Sequence, residues 1–332
     1  MNEHYANGAL QSFGLNFGSD GPSLKSGAIA TTPTYGPSPA HVAWLSDGSV
    51  ATANYMGGNS RIIPPLPQGQ EGRFTGAGQT VDFNSLSTTG QSHPHQVVER
   101  NGELWIPDLG ADTVWRLGRS STSNGQWSVQ GQVKQPKGSG PRHIIFQGTP
   151  LYLKSQIQVV NTFLGDRAFT LHELSSTLAL HSIPSNPKDT AQVYTIVSTT
   201  PPNPPPNAQY AAAEILIPPV SARFPTSYIF VSNRNKGNVT LSEGDSIAIY
   251  QHVNKGQANE GLQLINQVFT GLNQVRGMEF GKGTDGEAYL IAGGAEGSTG
   301  IAVFERTDGG KGLKLVVRNK DIPTRTGFLW LN

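Results

Sequence analysis

The chain has 332 residues, carries 24 Lys+Arg against 23 Asp+Glu for a net charge of +1, and contains no cysteine. That composition excludes disulfides, thiolate metal sites and a cysteine nucleophile, and the scattered charge lacks the basic run or strongly positive face of a nucleic-acid-binding domain. Charged residues are only 14%, while Gly 40 and Pro 23 point to many turns between short strands. In chain order, NGALQSFGLNF (7–17) and PSLKSGAIATT (22–32) read as a strand pair. GPSPAHVAWLSDGSVATANY (36–55) follows as a turn, a short apolar strand, a second turn and a second strand. The same unit returns at SHPHQVVERNGELWIPDLGAD (92–112) and GPRHIIFQGTPLYL (140–153). Weaker copies lie at AAAEILIPP with SYIFVSNR (211–234), at QVRGMEFGKGTDGEAYLIAGG (274–294) and at TRTGFLWL (324–331). After the inner pairs comes a third strand, DTVWRLG (112–118), DSIAIYQHV (245–253) or TGIAVFERT (299–307), whose alternation suits a half-buried outer position.

Strand entries at His41, His95, His143, Ala213, Gly277 and Phe328 recur at intervals that suit four-stranded propeller blades of ~40–50 residues, stretched by loops. The prolines of TTPPNPPPN (199–207) exclude a central strand there, and NRNKGNVTLSEGD (233–245) reads as a second loop. AQYAAAEILI has the alanine content of a helix, but its neighbours favour a strand entry, and the whole chain reads as all-β. The first strand pair resembles the outer half of a blade whose inner half is missing. An open edge is an aggregation hazard, so the alternatives are a six-bladed variant with unusual closure or a larger propeller lacking its N-terminal part.

No apolar run approaches the ~18 residues that span a bilayer. MNEHYANGAL lacks the basic and apolar regions of a signal peptide. A cytoplasmic location without membrane contact follows, or a secreted one if the N-terminus is incomplete. The single sequon, Asn238-Val239-Thr240, carries little weight.

HPHQ (93–96), PDLGAD (107–112), GSGPRH (138–143), HELSSTL (172–178), AAEI (212–215), VSNR (231–234), VRG (275–277) and YLIAGG (289–294) occur in one order along the chain. In that order they resemble the lactonase family of seven-bladed β-propellers, which includes 6-phosphogluconolactonases and 3-carboxy-cis,cis-muconate lactonising enzymes. The resemblance implies one lactonase-like propeller domain over 1–332, with four-stranded blades and an incomplete first blade. It places the catalytic residues at His95, Arg142, Glu173 and Arg234, with Arg276 as a further basic substrate-binding position. His93 and His143 are weighed as further pocket residues. His93 is otherwise read as fixing the SHPH turn, and of Arg142 and His143 alternation lets one face the channel while the other packs.

Three arginines and a histidine suit a substrate bearing carboxylate or phosphate, because the guanidinium is a permanently charged planar fork. His95 or Glu173 would deprotonate the water that attacks a lactone carbonyl, and an arginine would stabilise the oxyanion. The alternative for Arg234 is a surface pair with Glu243 or Asp245, and Asp108 and Asp112 read as turn residues. Neither a metal nor any cofactor is expected, since arginines occupy the positions where another propeller lactonase type holds a cation. G-x-S-x-G, P-loop and H-E-x-x-H strings are absent. The leading reading is hydrolysis of a sugar (phospho)lactone. The alternatives are carboxymuconate cycloisomerisation of a polycarboxylate by the same residues, and a non-catalytic binding propeller.

Overall fold

A computed structural model describes residues 8–19, 21–66, 69–70, 72–120, 125–147, 167–237, 242–322 and 326–331. The second half of GPRHIIFQGTPLYL and the Asn238 sequon lie outside the described residues. The described residues are almost entirely strands and turns, with one short helical turn at Gly283–Gly286 and one 3-10 turn at Asp308–Gly310. The chain divides into two compact units, 1–142 with 185–190, and 143–184 with 191–332.

In the first unit, β1 (Ala9–Ser12) pairs with β4 (Ala30–Pro33), and β2 (Leu15–Gly18) pairs with β3 (Gly21–Leu24). The two pairs form one long hairpin. Two four-stranded antiparallel meanders follow. One is β5 (Pro39–Trp44), β6 (Val50–Asn54), β7 (Asn59–Ile63) and β8 (Gln79–Asp82). The other is β9 (Val98–Arg100), β10 (Glu103–Asp108), β11 (Thr113–Arg119) and β12 (Trp127–Lys134). Leu104, Ile106, Leu117, Phe83 and Trp115 fill the core between them, each large apolar side chain contributing about 1.5–3 kcal/mol on burial. The stretch 185–190 closes over β12, where Gly131 is obligatory because a Cβ would meet the Pro187 carbonyl oxygen.

The second unit holds three such meanders. β13 (Pro141–Phe146), which starts on the last residues of the first unit, leads β14 (Arg167–His172), β15 (Thr177–Ser182) and β16 (Val193–Ser198). Next come β17 (Tyr210–Leu216), β18 (Ile229–Asn235), β19 (Ser246–Val253) and β20 (Gly261–Phe269). The last is β21 (Val275–Phe280), β22 (Tyr289–Gly294), β23 (Ile301–Thr307) and β24 (Gly312–Asn319). The alanine-rich segment 210–216 is a strand, as its surroundings suggest.

Two expectations change. The third strands are not the outer ones: each is covered by a fourth, and β11 and β19 are buried along most of their length while only β23 alternates. A strand buried on both faces reads as a near-continuous apolar run, which is what TVW and SIAIY are. The second concerns TRTGFLWL, in which 326–331 pair with no strand. Their backbone passes over Gly277, where a Cβ would meet the Thr326 carbonyl oxygen, and Leu329 stays exposed. Local alternation marks a strand only where a partner supplies the ladder.

Candidate active site

In the first unit the SHPH turn is built around Asp108. Its carboxylate, fully buried, accepts hydrogen bonds from the His93 amide at 2.7 Å, the Gly110 and Ala111 amides, the Trp115 indole at 2.8 Å and the Ser92 hydroxyl. The His95 amide donates to the Pro107 carbonyl and the Leu109 amide to the His93 carbonyl, so the turn is tied to the end of β10. His93 stacks on Tyr55 with ring centroids 4.6 Å apart and bonds through Nδ1 to the Tyr55 carbonyl. His95, buried, meets the same ring edge-on. Asp112 prepares the other predicted residue of this unit. It accepts the amides of Gly138 at 2.7 Å and Gly140 at 3.0 Å, shaping the GSGP turn before Arg142, which is buried on β13. Asp108 and Asp112 are therefore turn-holding carboxylates, as expected.

In the second unit two predicted residues meet. Arg234, near the end of β18, sets Nη2 2.8 Å from Oε1 of Glu173, in the turn after β14. Arg234 is buried, with 7% side-chain exposure, and Glu173 partly buried, with 13%, and the Arg234 fork is steadied by longer contacts to the Ala211 and Ala212 carbonyls. The surface pairing weighed for Arg234 is thus replaced by an ion pair in which the arginine is buried and the carboxylate partly so. Asp245 accepts the Gln274 amide instead, and burial pushes its carboxyl up, partly offset by that amide and by Arg234.

Arg276 lies at a bulge in β21, between Val275 and Gly277, where the extra residue turns its side chain away from the regular ladder. It is half-buried and makes no hydrogen bond or ion pair among the described residues. His143, on β13, is buried and bonds through Nδ1 to Oε1 of Glu214 at 2.6 Å. Glu214 sits in a second bulge, between Ala212 and Ile215 of β17. Sequence reasoning quoted Glu214 within AAEI but gave it no role, and a bulge leaves no mark in a strand pattern. Within each unit the structure brings together His93 with His95, Arg234 with Glu173, and His143 with Glu214. Among the described residues no group of three or more His, Asp and Glu is spaced to hold a metal ion, and no helix is long and apolar enough to cross a membrane.

The family profile for lactonases of the seven-bladed β-propeller type matches residues 2–330. Similar solved structures include a candidate 6-phosphogluconolactonase of Bacteroides fragilis, 20% identical, TM-score 0.69, covering 96% of this chain and 79% of that one. A Lactobacillus plantarum protein is 22% identical with TM-score 0.69, covering 97% and 85%. The periplasmic gluconolactonase of Pseudomonas aeruginosa is 18% identical with TM-score 0.67, covering 91% and 75%. These likenesses concern the fold. No curated protein matches by sequence. With nearly its whole length covered by one family profile, the chain belongs to the lactonase family of seven-bladed β-propellers.

Proposed function

We propose that residues 1–332 act as a single lactonase-like domain that hydrolyses the ring of an anionic sugar lactone, of the 6-phosphogluconolactone type, without metal or cofactor. Arg142, Arg234 and Arg276 bind the anionic groups and the oxyanion, His95 and Glu173 move the proton, and His93 and His143 line the pocket. The observation that carries this reading is Arg276. A half-buried guanidinium that takes no protein partner among the described residues is suited to a carboxylate or phosphate brought by a ligand. The Arg234–Glu173 pair supports it from the same unit, because a guanidinium already oriented by one carboxylate needs little further ordering to meet a second anion.

Hydrolysis begins with water adding to the ring carbonyl as it gives a proton to the base. The resulting oxyanion is held by arginine donors. The ring carbon–oxygen bond then breaks and the leaving ring oxygen takes the proton back. Proton release from 6-phosphogluconolactone by the purified protein, beside Arg142→Ala, is the test. Turnover that falls by about 10²-fold or more in the variant is the expected result. A folded protein that leaves the lactone untouched, or that instead cyclises 3-carboxy-cis,cis-muconate, would overturn the reading.

A further inference from the structure

Asp245, the buried residue before β19, turns its amide, its carbonyl and one carboxylate oxygen toward residues 270–274, which join β20 to β21. Its amide donates to the Leu272 carbonyl at 2.7 Å, and its carbonyl accepts the Thr270 amide at 2.9 Å and the Thr270 hydroxyl at 2.6 Å. Its carboxylate Oδ2 accepts the Gln274 amide at 2.6 Å. Gln274 is held there at φ 53°, in the left-handed region that is unfavourable for any residue with a Cβ. Strain of this kind persists only where neighbours over-determine it, and it gathers at functional sites. The chain then runs directly into the bulge of β21, whose extra residue is Arg276.

The same arrangement stands before Arg142. Asp112, the residue before β11, accepts the Gln135 amide on its carbonyl as Asp245 accepts that of Thr270, and each donor is the residue after an outer strand. The Asp112 carboxylate then takes the Gly140 amide at 3.0 Å, and Gly140 has φ 63°. In both cases a carboxylate ties a left-handed residue two positions upstream of an arginine that the lactonase reading gives to the substrate's anion. The slot before Arg142 holds glycine, which takes that conformation freely, and the slot before Arg276 holds glutamine, which does not. Without its acceptor, Gln274 would relax to an ordinary φ, a rotation of more than about 100° that re-aims the chain carrying Arg276. Arg276 makes no hydrogen bond or ion pair among the described residues, so the backbone beneath it, rather than a polar partner, sets its direction.

We propose that Asp245 is a positioning residue for Arg276: by holding Gln274 in the left-handed conformation it aims the guanidinium at the anionic group of the lactone. The inference rests on the lactonase reading above and leaves the proton carriers named there unchanged. Asp245 acts through Arg276, so its effect falls on substrates that carry the group Arg276 binds.

The test is a double-mutant cycle of Asp245→Ala and Arg276→Ala, read as kcat/KM for 6-phosphogluconolactone over kcat/KM for unphosphorylated gluconolactone. Asp245→Ala should lower the ratio by about 3–5-fold, no further than Arg276→Ala does, with the loss in KM for the phosphorylated lactone rather than in kcat. In the Arg276→Ala background it should leave the ratio where it is. Adding Gln274→Gly to Asp245→Ala should restore most of the ratio, because glycine needs no carboxylate to hold a positive φ. An equal loss on both lactones, a ratio that keeps falling once Arg276 is gone, or no recovery with glycine would overturn the proposal while leaving the lactonase reading intact. A wild type that hydrolyses neither lactone would sink the reading and the inference together. If Asp245→Ala does not fold, Asp245→Asn takes its place in the cycle. A neutral amide oxygen is the weaker acceptor, so the ratio should fall less, and only while Arg276 is present. An unchanged ratio in that variant contradicts the proposal.

Discussion

His95 and His143 are both buried histidines that enter inner strands after a proline-containing turn, yet their surroundings differ in kind. The ring of His95 meets the edge of Tyr55, and its backbone is fixed by a turn organised around Asp108. The ring of His143 is held by a carboxylate whose own orientation is set by a β-bulge. In the first unit the histidine lies against an aromatic ring on a turn tied by its backbone, and in the second it lies against a carboxylate. The same residue type after a similar turn can thus face an aromatic ring in one region and a carboxylate in another.

That contrast can be broken or sharpened by mutation, taking the largest effect first. Asp108→Ala strips the acceptor from five donors around a fully buried carboxylate. It should cost about 3–5 kcal/mol, read from a denaturant midpoint, because buried donors left unmet carry most of their desolvation penalty. A loss below about 1 kcal/mol would mean that the SHPH turn does not depend on it. Glu173→Ala leaves the Arg234 charge buried without its partner and should cost about 3 kcal/mol. Adding Arg234→Met to that variant should recover part of the loss, and further destabilisation by the second change would count against the ion pair. Asp112→Ala removes two amide acceptors from a partly exposed turn and should cost about 1–2 kcal/mol. Its larger effect should be on activity, through Arg142.

The smallest effect is a pH dependence. His181 is buried, bonds to Thr170 Oγ1 and the Ser182 carbonyl, and has its pKa lowered below 6.5 by burial. The unfolded chain therefore binds this proton more readily. Stability is complete above pH 6.5 and declines as the pH falls through that value toward the lowered folded pKa. His181→Gln should flatten the slope measured by urea unfolding below pH 6.5, and an unchanged slope would assign it to other groups.

The strand order was legible wherever turn chemistry and apolar runs agreed. GPRHIIF, AAAEIL and YLIAGG all begin or lie within strands, and Asp108 and Asp112 show their turn role in the spacing PDLGAD. Two things were not legible. The pairing of Glu173 with Arg234, or of His143 with Glu214, joins residues far apart in the chain, and only the folded sheets bring them within bonding distance. The 326–331 segment has the alternation of a strand, but a hydrogen-bonded partner is a tertiary property that no local pattern contains. Arg276 lies between these cases. Its residue type pointed to an anion, while its bulge and its lack of a protein partner among the described residues became visible only in the structure.

The central claim is that this chain hydrolyses an anionic lactone held by arginines, and one ratio tests it most directly. It is kcat/KM for 6-phosphogluconolactone over kcat/KM for unphosphorylated gluconolactone, measured in the wild type and in Arg276→Ala. The account predicts a ratio of about 10 or more in the wild type, as a charge-assisted contact of about 1.5–3 kcal/mol would give. In the variant it should fall several-fold, with the thermal midpoint unchanged. A wild-type ratio near unity, or one that Arg276→Ala leaves untouched, would contradict the assignment of Arg276 to the substrate's anionic group.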